Sequence, residues 1–236
     1  MLVEIWSDVV CPWCAIGKVR FERALARLPD GADVDVRYRS FELDPTTPAE
    51  VEGDYVARLA TRYRTSTTQA QAMIDRMTAQ AAAEGLTFDF AAVRPGNTFD
   101  AHRLLHLAAG RGVQHTLKGR LLAGYLSEGA AVGTHDALRR LATDAGLHGD
   151  EIDAVLGGDA YAEAVRADER QAQAYGISAV PFFVIDRRYG VSGAQPAEVL
   201  WQAMEQARHD APVAAGPAAH EGHDPQACAD GSCAVA

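Results

Sequence analysis

Residues 2–14 read LVEIWSDVVCPWC, so that an apolar run leads directly into a C-x-x-C motif. We interpret residues 2–6 as a strand and Cys11 as the start of a helix. Two cysteines three residues apart in the first turn of a helix lie close enough to form a disulfide. This junction of strand and helix therefore predicts redox chemistry at Cys11 and Cys14, and it decides how the remaining chain is interpreted.

Cys11 would face the unpaired amides and the positive end of the helix dipole, both of which favour a thiolate. Lowering a thiol pKa from about 8.5 to about 7 is worth roughly 2 kcal/mol, whereas the dipole typically supplies about 0.3 to 1 kcal/mol. A stronger oxidant would therefore need further hydrogen bonds to the Cys11 sulfur, from the amides of Trp13 and Cys14. Pro12 suits the first helical turn because its missing N–H would have no partner there.

Two alternatives to redox chemistry are half a zinc site and a pair of inert buried cysteines. Zinc usually needs a second ligand pair at a regular spacing, and none follows in the next few dozen residues. The motif therefore favours redox chemistry over both alternatives.

The composition limits the classes of partner. The chain has 236 residues and a formal net charge of −10, which argues against nucleic acid and anionic membrane surfaces. No apolar run approaches the length of a membrane span. Because the first strand begins at residue 2 with no signal-like segment before it, we expect a cytoplasmic location. The four cysteines form two close pairs, and in a reducing compartment such pairs are more typical of catalysis or metal binding than of structural disulfides.

The periodicity predicts a β-α-β unit at the start of the chain. The first helix runs from Cys11 to about Leu28 and ends at Pro29-Asp30-Gly31, and a half-buried strand follows over residues 34–41. Such a unit implies a parallel strand pair. From Asp44 the chain becomes alanine-rich and helical, with predicted helices at 49–64, 67–84, 98–110, 113–127, 134–146, 150–157 and 159–175, of which Thr134 and Asp150 are expected N-caps.

Strands return at residues 182–185 and 189–193 as a hairpin, and Pro196 opens a last helix over 196–209. This order predicts an α/β protein with a thioredoxin-like fold, in which a large all-helical insertion separates the β-α-β half from the hairpin-helix half. The predicted domains are a thioredoxin-like domain of residues 1–44 and 177–209, an insertion of residues 45–176, and a flexible tail of residues 210–236.

Pro181 stands just ahead of a core strand, where a proline is tolerated only at the first position. The stretch Gly176-Ile177-Ser178-Ala179-Val180-Pro181 resembles the loop of the thioredoxin superfamily that carries a cis-proline beside the C-x-x-C motif. The resemblance implies that the Val180 backbone pairs with an extended substrate. The alternative is a trans proline that merely starts the strand.

More narrowly, the chain resembles the DsbA family and, within it, the FrnE-like oxidoreductases. The stretches that carry this likeness are SDVVCPWC at residues 7–14, IGK at 16–18 and NTFDAHR at 97–103, and the likeness extends to about residue 209. The chain departs from periplasmic DsbA enzymes because it lacks an export signal and has Trp13 where they usually have His. We therefore do not expect their strongly oxidising character.

Within this resemblance, Cys11 is expected to form a mixed disulfide with a substrate and Cys14 to resolve it. Pro12, Trp13 and Val180 are expected to contact the substrate, although Trp13 could serve packing alone. Asp8 either relays a proton to the resolving thiol or satisfies local amides and caps the helix.

The sequence leaves more than one role open for His102, His106 and Arg103. The two histidines are one helical turn apart, but without a third ligand we expect core or surface histidines rather than a metal site. Arg103 either positions a substrate carboxylate or pairs with Asp100.

The tail contains His220, His223, Cys228 and Cys233 in a short segment. We favour a second redox pair of Cys228 and Cys233 that exchanges electrons with Cys11 and Cys14, as the resemblance to FrnE-like proteins with a C-terminal pair implies. A zinc site and a disordered, metal-scavenging tail are the alternatives, and zinc is not favoured. We expect no cofactor other than the redox-active disulfide.

The predicted function is a cytoplasmic thiol-disulfide oxidoreductase that acts on protein or small thiol and disulfide substrates. The alternative is a glutathione-dependent transferase or isomerase of the kappa-class or hydroxychromene-carboxylate isomerase type, although those proteins use a serine where this chain has Cys11. A redox-dead binding module is disfavoured because it would not need both cysteines. The sequence leaves the oligomeric state open, with a dimer among the alternatives.

Overall fold

A computed structural model of the chain describes residues 1–29, 33–210 and 232–234. In these residues five strands form one sheet in the order β2-β1-β3-β4-β5. The pair β1–β2 is parallel and the other neighbours are antiparallel. The strands are β1 Leu2–Ser7, β2 Asp35–Ser40, β3 Phe182–Ile185, β4 Tyr189–Ser192 and β5 Ser232–Ala234.

The helices alternate with the strands only at the two ends of the chain. They are α1 Pro12–Leu25, α2 Tyr55–Tyr63, α3 Thr67–Ala83, α4 Phe99–Gly110, α5 Gln114–Glu128, α6 His135–Asp144, α7 Gly149–Leu156, α8 Ala162–Ala174 and α9 Ala197–His209. The helices α2 to α8 lie between β2 and β3, which confirms the predicted thioredoxin-like fold with its helical insertion. Among the described helices, none is long and apolar enough to cross a bilayer.

Several helix boundaries differ from the predictions for local reasons. Helix α2 begins at Tyr55 rather than at residue 49, because the Asp54 carboxylate accepts a hydrogen bond from the Ala57 amide at 2.8 Å and caps the helix there. Thr134 is the N-cap of α6, as predicted. The prediction for Asp150 is wrong: His148 precedes α7, and Asp150 lies in its first turn, where a carboxylate favours the helix dipole.

The segment Ser232–Ala234 also differs from the prediction, which placed residues 210–236 in a flexible tail. It forms β5 and pairs with β4, so that Cys233 lies opposite Gly190. Without β5, strand β4 would leave a row of unpaired backbone groups at the sheet edge. Residues 211–231, and with them His220, His223 and Cys228, lie outside the described residues.

Two hydrophobic clusters cover the two faces of the sheet. Because side chains alternate along a strand, Val3 and Ile5 point toward α1 and α9, whereas Trp6 points toward the helical insertion. The Trp6 indole donates to the Asp168 carbonyl at 2.9 Å, and the Asp168 carboxylate accepts from the Ser40 amide at 2.9 Å. Buried hydrogen bonds thus fix α8 against β1 and β2. The cluster on this side includes Cys11 and Cys14, so the insertion contributes to the surroundings of both thiols.

Candidate active site

The two cysteines lie at the N-terminus of α1. Cys11 is the N-cap residue with extended backbone angles, and Pro12 occupies the first helical turn. The Cys11 carbonyl accepts hydrogen bonds from the amides of Cys14 at 3.0 Å and Ala15 at 3.3 Å. Both cysteines are buried free thiols. The local geometry is therefore the one predicted, with the helix starting one residue later.

The loop before β3 closes over the Cys11 thiol. The Val180–Pro181 peptide bond is cis, and the Cys11 sulfur lies 3.7 Å from the Val180 carbonyl oxygen. The alternative of a trans proline is therefore wrong. The Pro181 carbonyl accepts from the Gly193 amide at 2.8 Å, which ties the loop to the end of β4.

Gly17 allows α1 to approach this loop. A Cβ atom at Gly17 would lie 2.8 Å from the Pro181 Cγ atom, closer than real contacts allow. The sequence analysis singled out IGK at residues 16–18 by resemblance alone. The structure gives Gly17 a physical role, since it sets how near the Cys11 helix comes to the cis-proline.

Lys118 is a buried cation beneath the thiols that the sequence analysis missed. Its side chain comes from α5 of the insertion, is fully buried, and donates to the Ser7 carbonyl at 3.0 Å. Burial lowers the pKa of Lys118 to about 8, against the opposing effects of Cys14, Asp8 and Cys11. A lysine between the apolar positions Leu117 and Leu121 of a helix was the available signal, because lysine is rarely buried without a partner.

The pKa values of the two thiols are shifted in opposite directions. Burial opposes ionisation of Cys14, but the hydrogen bond with Cys11, the Lys118 charge and the Ser7 hydroxyl outweigh it and lower the pKa of Cys14. The hydrogen bond with Cys14 and burial raise the pKa of Cys11, although the Cys14 amide acts in the opposite direction. Burial of both thiols and the Lys118 charge near Cys14 thus act against the expected low pKa of Cys11 in the reduced pair.

Asp8 is a buried carboxylate with three partners. One oxygen accepts from the Val9 amide at 2.7 Å and the other from the Leu43 amide at 2.8 Å. His102 Nε2 lies 3.2 Å from the same carboxylate. Burial opposes ionisation, but the hydrogen bond and charge of His102 and the Leu43 amide outweigh it and lower the pKa of Asp8. Of the expected alternatives, Asp8 satisfies amides and does not cap α1; the proton relay stays a prediction.

His102, His106 and Arg103 all have partners within the protein. His106 Nε2 lies 3.1 Å from the Ser40 hydroxyl and 3.2 Å from Asp168. The buried Arg103 donates to Asp100 at 2.7 Å and to backbone carbonyls after α7, in agreement with the pairing alternative. The described residues contain no group of three or more His, Cys, Asp or Glu that could hold a metal ion.

A groove of about 1330 Å³ opens beside the thiols. Cys11, Pro12 and Trp13 line it together with residues 178–180 and with residues of α2 and α3 of the insertion. Cys14 does not line it. Trp13 is 40% exposed, so its ring is available to a bound molecule. The structure thus brings Cys11, Pro12, Trp13 and Val180 to one surface, while Cys14 and Lys118 lie behind it.

Comparisons with known proteins agree with this geometry. The model of the DSBA-like thioredoxin domain family matches residues 2–205. The crystal structure of the probable DsbA oxidoreductase SCO1869 from Streptomyces coelicolor is 46% identical, with a TM-score of 0.84 over 99% of this chain and 98% of that one. The uncharacterized protein YwbO of Bacillus subtilis (strain 168) is 29% identical over 204 residues, which are 86% of this chain and 94% of YwbO.

A 2-hydroxychromene-2-carboxylate isomerase shares the fold at 15% identity, with a TM-score of 0.64 over 87% of this chain and 95% of that one. At this identity the likeness concerns the fold alone. The family match over most of the chain, together with the paired thiols beside the cis-proline, decides the classification. The chain belongs to the DSBA-like thioredoxin domain family and is a disulfide oxidoreductase or isomerase.

Proposed function

We propose that the protein exchanges disulfides with protein substrates through Cys11 and Cys14. The observation that carries this proposal is the arrangement of two free thiols at the start of α1, of which Cys11 alone lines the groove beside cis-Pro181. A substrate in the groove reaches Cys11 first. Cys14 is then positioned to act on the sulfur of Cys11 from behind.

In the reducing direction, the Cys11 thiolate attacks one sulfur of a substrate disulfide. A mixed disulfide forms, and the other substrate sulfur leaves as a thiolate that takes up a proton. The Cys14 thiolate then attacks Cys11, so that the Cys11–Cys14 bond forms and the second substrate thiolate leaves. Two electrons pass to the substrate, and the reverse sequence oxidises a dithiol.

Lys118 supports the second step of this sequence. Its charge lowers the pKa of Cys14, which is the thiol that must ionise to resolve the mixed disulfide. In the reduced pair, the neighbouring Cys14 and burial raise the pKa of Cys11, and the Cys11 thiol lies 3.7 Å from the Val180 carbonyl oxygen. Movement of the Cys11 proton to Cys14 would leave Cys11 as the attacking thiolate when a substrate arrives.

Single cysteine variants test the assignment of the two roles. We expect Cys14→Ser to accumulate a mixed disulfide with a disulfide-bonded protein substrate such as insulin. Mass spectrometry detects this adduct. Cys11→Ser should form none and should lose insulin reduction. Cys11→Ser with full activity would refute the proposal, and trapping by Cys11→Ser but not by Cys14→Ser would reverse the two roles.

We further propose that Cys228 and Cys233 relay electrons to the first pair. Cys233 lies in β5 opposite Gly190, and the neighbouring Ser232 lies opposite Val191. Ser192, the next residue of β4, pairs with Phe182, which directly follows Pro181. The beginning of β5 is therefore at the same end of the sheet as the Cys11 site, which supports the relay.

The Cys228→Ser/Cys233→Ser double variant tests this relay. The variant should still reduce insulin with dithiothreitol, because dithiothreitol reaches Cys11 directly. In the wild type, a Cys228–Cys233 disulfide should form after exposure to oxidised Cys11–Cys14, and the variant cannot form it. Stoichiometric zinc in the reduced wild type, absent from the double variant, would instead support the metal-binding alternative. The cytoplasmic, FrnE-like role stays a prediction, to be tested by fractionation of the producing cells.

The glutathione-dependent alternative predicts a different result. A transferase or isomerase of that kind would bind glutathione and would tolerate loss of Cys14, because it needs no resolving thiol. Isothermal titration of glutathione into the wild type and Cys14→Ser tests this directly. The buried position of Cys14 next to Lys118 favours dithiol chemistry over this alternative.

A further inference from the structure

We propose that the groove beside Cys11 selects extended peptide segments that carry carboxylates close to the reacting disulfide. This inference rests on the proposed function and specifies its substrate class. The relevant surface consists of Arg58, Arg62 and Arg76, which line the groove together with the Cys11–Trp13 turn and residues 178–180. We call the three side chains the arginine wall.

The size of the groove favours a peptide over a small molecule. Its volume of about 1330 Å³ exceeds the roughly 300–1,000 Å³ of typical small-molecule pockets. The lining of the groove includes Trp13 as well as Met73 and Gln80 on α3. A segment of several residues can lie in it with one cysteine next to Cys11.

The backbone beside Cys11 can hold such a segment. Ser178 and Ala179 are exposed, and the Val180 amide makes no hydrogen bond to any residue that the structure describes. An extended chain pairs through backbone groups of this kind, which give affinity without side-chain specificity. Specificity for the substrate side chains must then come from other residues that line the groove.

The arginine wall has unused hydrogen-bonding capacity. Within the described part of the chain, Arg58 and Arg76 have no side-chain hydrogen bond or ion pair, and Arg62 donates only to the Leu43 carbonyl at 3.2 Å. Arg58 and Arg62 are one helical turn apart, so their guanidinium groups lie on one face of α2. Guanidinium groups bind carboxylates through paired, charge-assisted hydrogen bonds.

The carboxylates of the groove do not occupy these arginines. Asp54 accepts from the Ala57 amide as the cap of α2, Asp44 accepts from the Thr46 hydroxyl at 2.7 Å, and Asp8 is buried against His102. The formal net charge of the chain is −10. Arg62 acts on Asp44 through its charge, but within the residues that the structure describes none of the three arginines forms an ion pair. Three such arginines in the groove of a redox cysteine are therefore a local exception to the charge of the whole protein.

The arginine wall is also near the reacting sulfur. Cys11, Tyr55 and the three arginines line the same groove. The half-buried Tyr55 at the start of α2 is influenced by the charges of Cys11, Arg62 and Arg58, which places it in the electrostatic field of both groups. A carboxylate bound by the arginines would therefore share the groove with a cysteine bound at Cys11.

Matched peptides test the selectivity. Three disulfide-linked peptides of equal length differ only in the residues beside the cysteine, which are Glu, Gln or Lys. With the wild type we expect kcat/KM to fall in that order, by about tenfold from Glu to Lys at low salt and by less at high salt. Equal values for the three peptides, or a preference for Lys, would overturn the proposal.

Charge-reversal variants locate the effect. Arg58→Glu/Arg76→Glu should reverse the order of the peptides, whereas Arg140→Glu, an exposed arginine of α6 away from the groove, should leave the order unchanged. Circular dichroism checks folding, and Arg58→Gln/Arg76→Gln provides a milder change that should abolish the preference without reversing it. An unchanged preference in both groove variants would exclude the arginine wall as its origin.

Two further measurements separate this inference from the proposed function. Reduction of the small neutral 2-hydroxyethyl disulfide by the wild type and by Arg140→Glu measures disulfide exchange without charge recognition, so failure of the wild type to reduce it would refute disulfide exchange itself. Binding of the same peptides with serine in place of cysteine, measured by fluorescence anisotropy, reports charge selectivity without redox chemistry. If glutathione disulfide is reduced as efficiently as the Glu peptide, the groove takes small anions and the peptide proposal is wrong.

Discussion

The Lys118 ammonium group donates a hydrogen bond of 3.0 Å to the carbonyl of Ser7, which ends the first strand four residues before Cys11. This contact places a charge from the helical insertion beneath the thioredoxin-like half of the molecule. Its influence on Cys14 makes the insertion part of the redox site rather than only a cover over it.

Replacing Lys118 with methionine should raise the pKa of Cys14, because the variant loses the positive charge that favours its thiolate. One pKa unit corresponds to about 1.4 kcal/mol, so we expect closure of the Cys11–Cys14 disulfide at neutral pH to slow by about tenfold. The thiolate absorbance in the ultraviolet and stopped-flow kinetics measure the two effects. Lys18→Met, which removes a surface partner of Glu22 instead, is the control, and an equal change in both variants would argue against a specific role of Lys118.

Gly17→Ala should disturb the alignment of α1 with the cis-proline. The new Cβ would lie 2.8 Å from Pro181, and such overpacking typically costs about 1–3 kcal/mol. We expect kcat/KM for insulin to fall by about tenfold. Gly119→Ala is a matched control, because its Cβ would meet only the flexible Lys18 side chain at 3.4 Å. It should keep activity, and a Gly17→Ala protein with unchanged activity and stability would contradict the close-approach argument.

Asp8→Asn should make the free energy of unfolding less dependent on pH in the acid range. The pKa of Asp8 is lowered in the folded protein, so its carboxylate stabilises the fold above its unfolded pKa of about 3.9. That contribution disappears as the pH falls through the lower, folded pKa. Chemical denaturation of both proteins should therefore show a difference at neutral pH that shrinks in acid. A difference that grows in acid would mean that Asp8 is protonated in the folded state.

For Glu42→Gln we expect the opposite dependence of stability on pH, because the pKa of Glu42 is raised rather than lowered. Burial raises the pKa of Glu42 to about 7 despite its contact with Arg166 at 2.6 Å, and its second oxygen is buried without a described partner. The folded protein thus holds a proton that the unfolded chain releases near pH 4.3. Stability should decline between about pH 4.3 and 7 in the wild type, and this decline should be smaller in the variant. Thermal unfolding across this range measures it, and parallel curves for the two proteins would contradict the assignment.

The sequence predicted much of the architecture because its signals are local. A C-x-x-C motif at a strand-helix junction, a proline ahead of a strand and a long alanine-rich block between two strand groups are each contained in a few neighbouring residues. Helix ends were predicted less well. The start of α2 depends on Asp54 as a cap and on the backbone contact of Val51 with Pro95, and a contact between distant residues leaves no local signal.

The sequence by itself predicted the redox chemistry at Cys11 and Cys14 and determined the fold that carries them. Only the tertiary structure placed the Lys118 charge where it acts on Cys14, because Lys118 is more than a hundred positions away along the chain and comes near only when α5 packs under β1. It likewise gathered three arginines from α2 and α3 in the same groove as Cys11. Electrostatic interactions depend on distance in space and on burial, and neither quantity can be read from the order of residues alone.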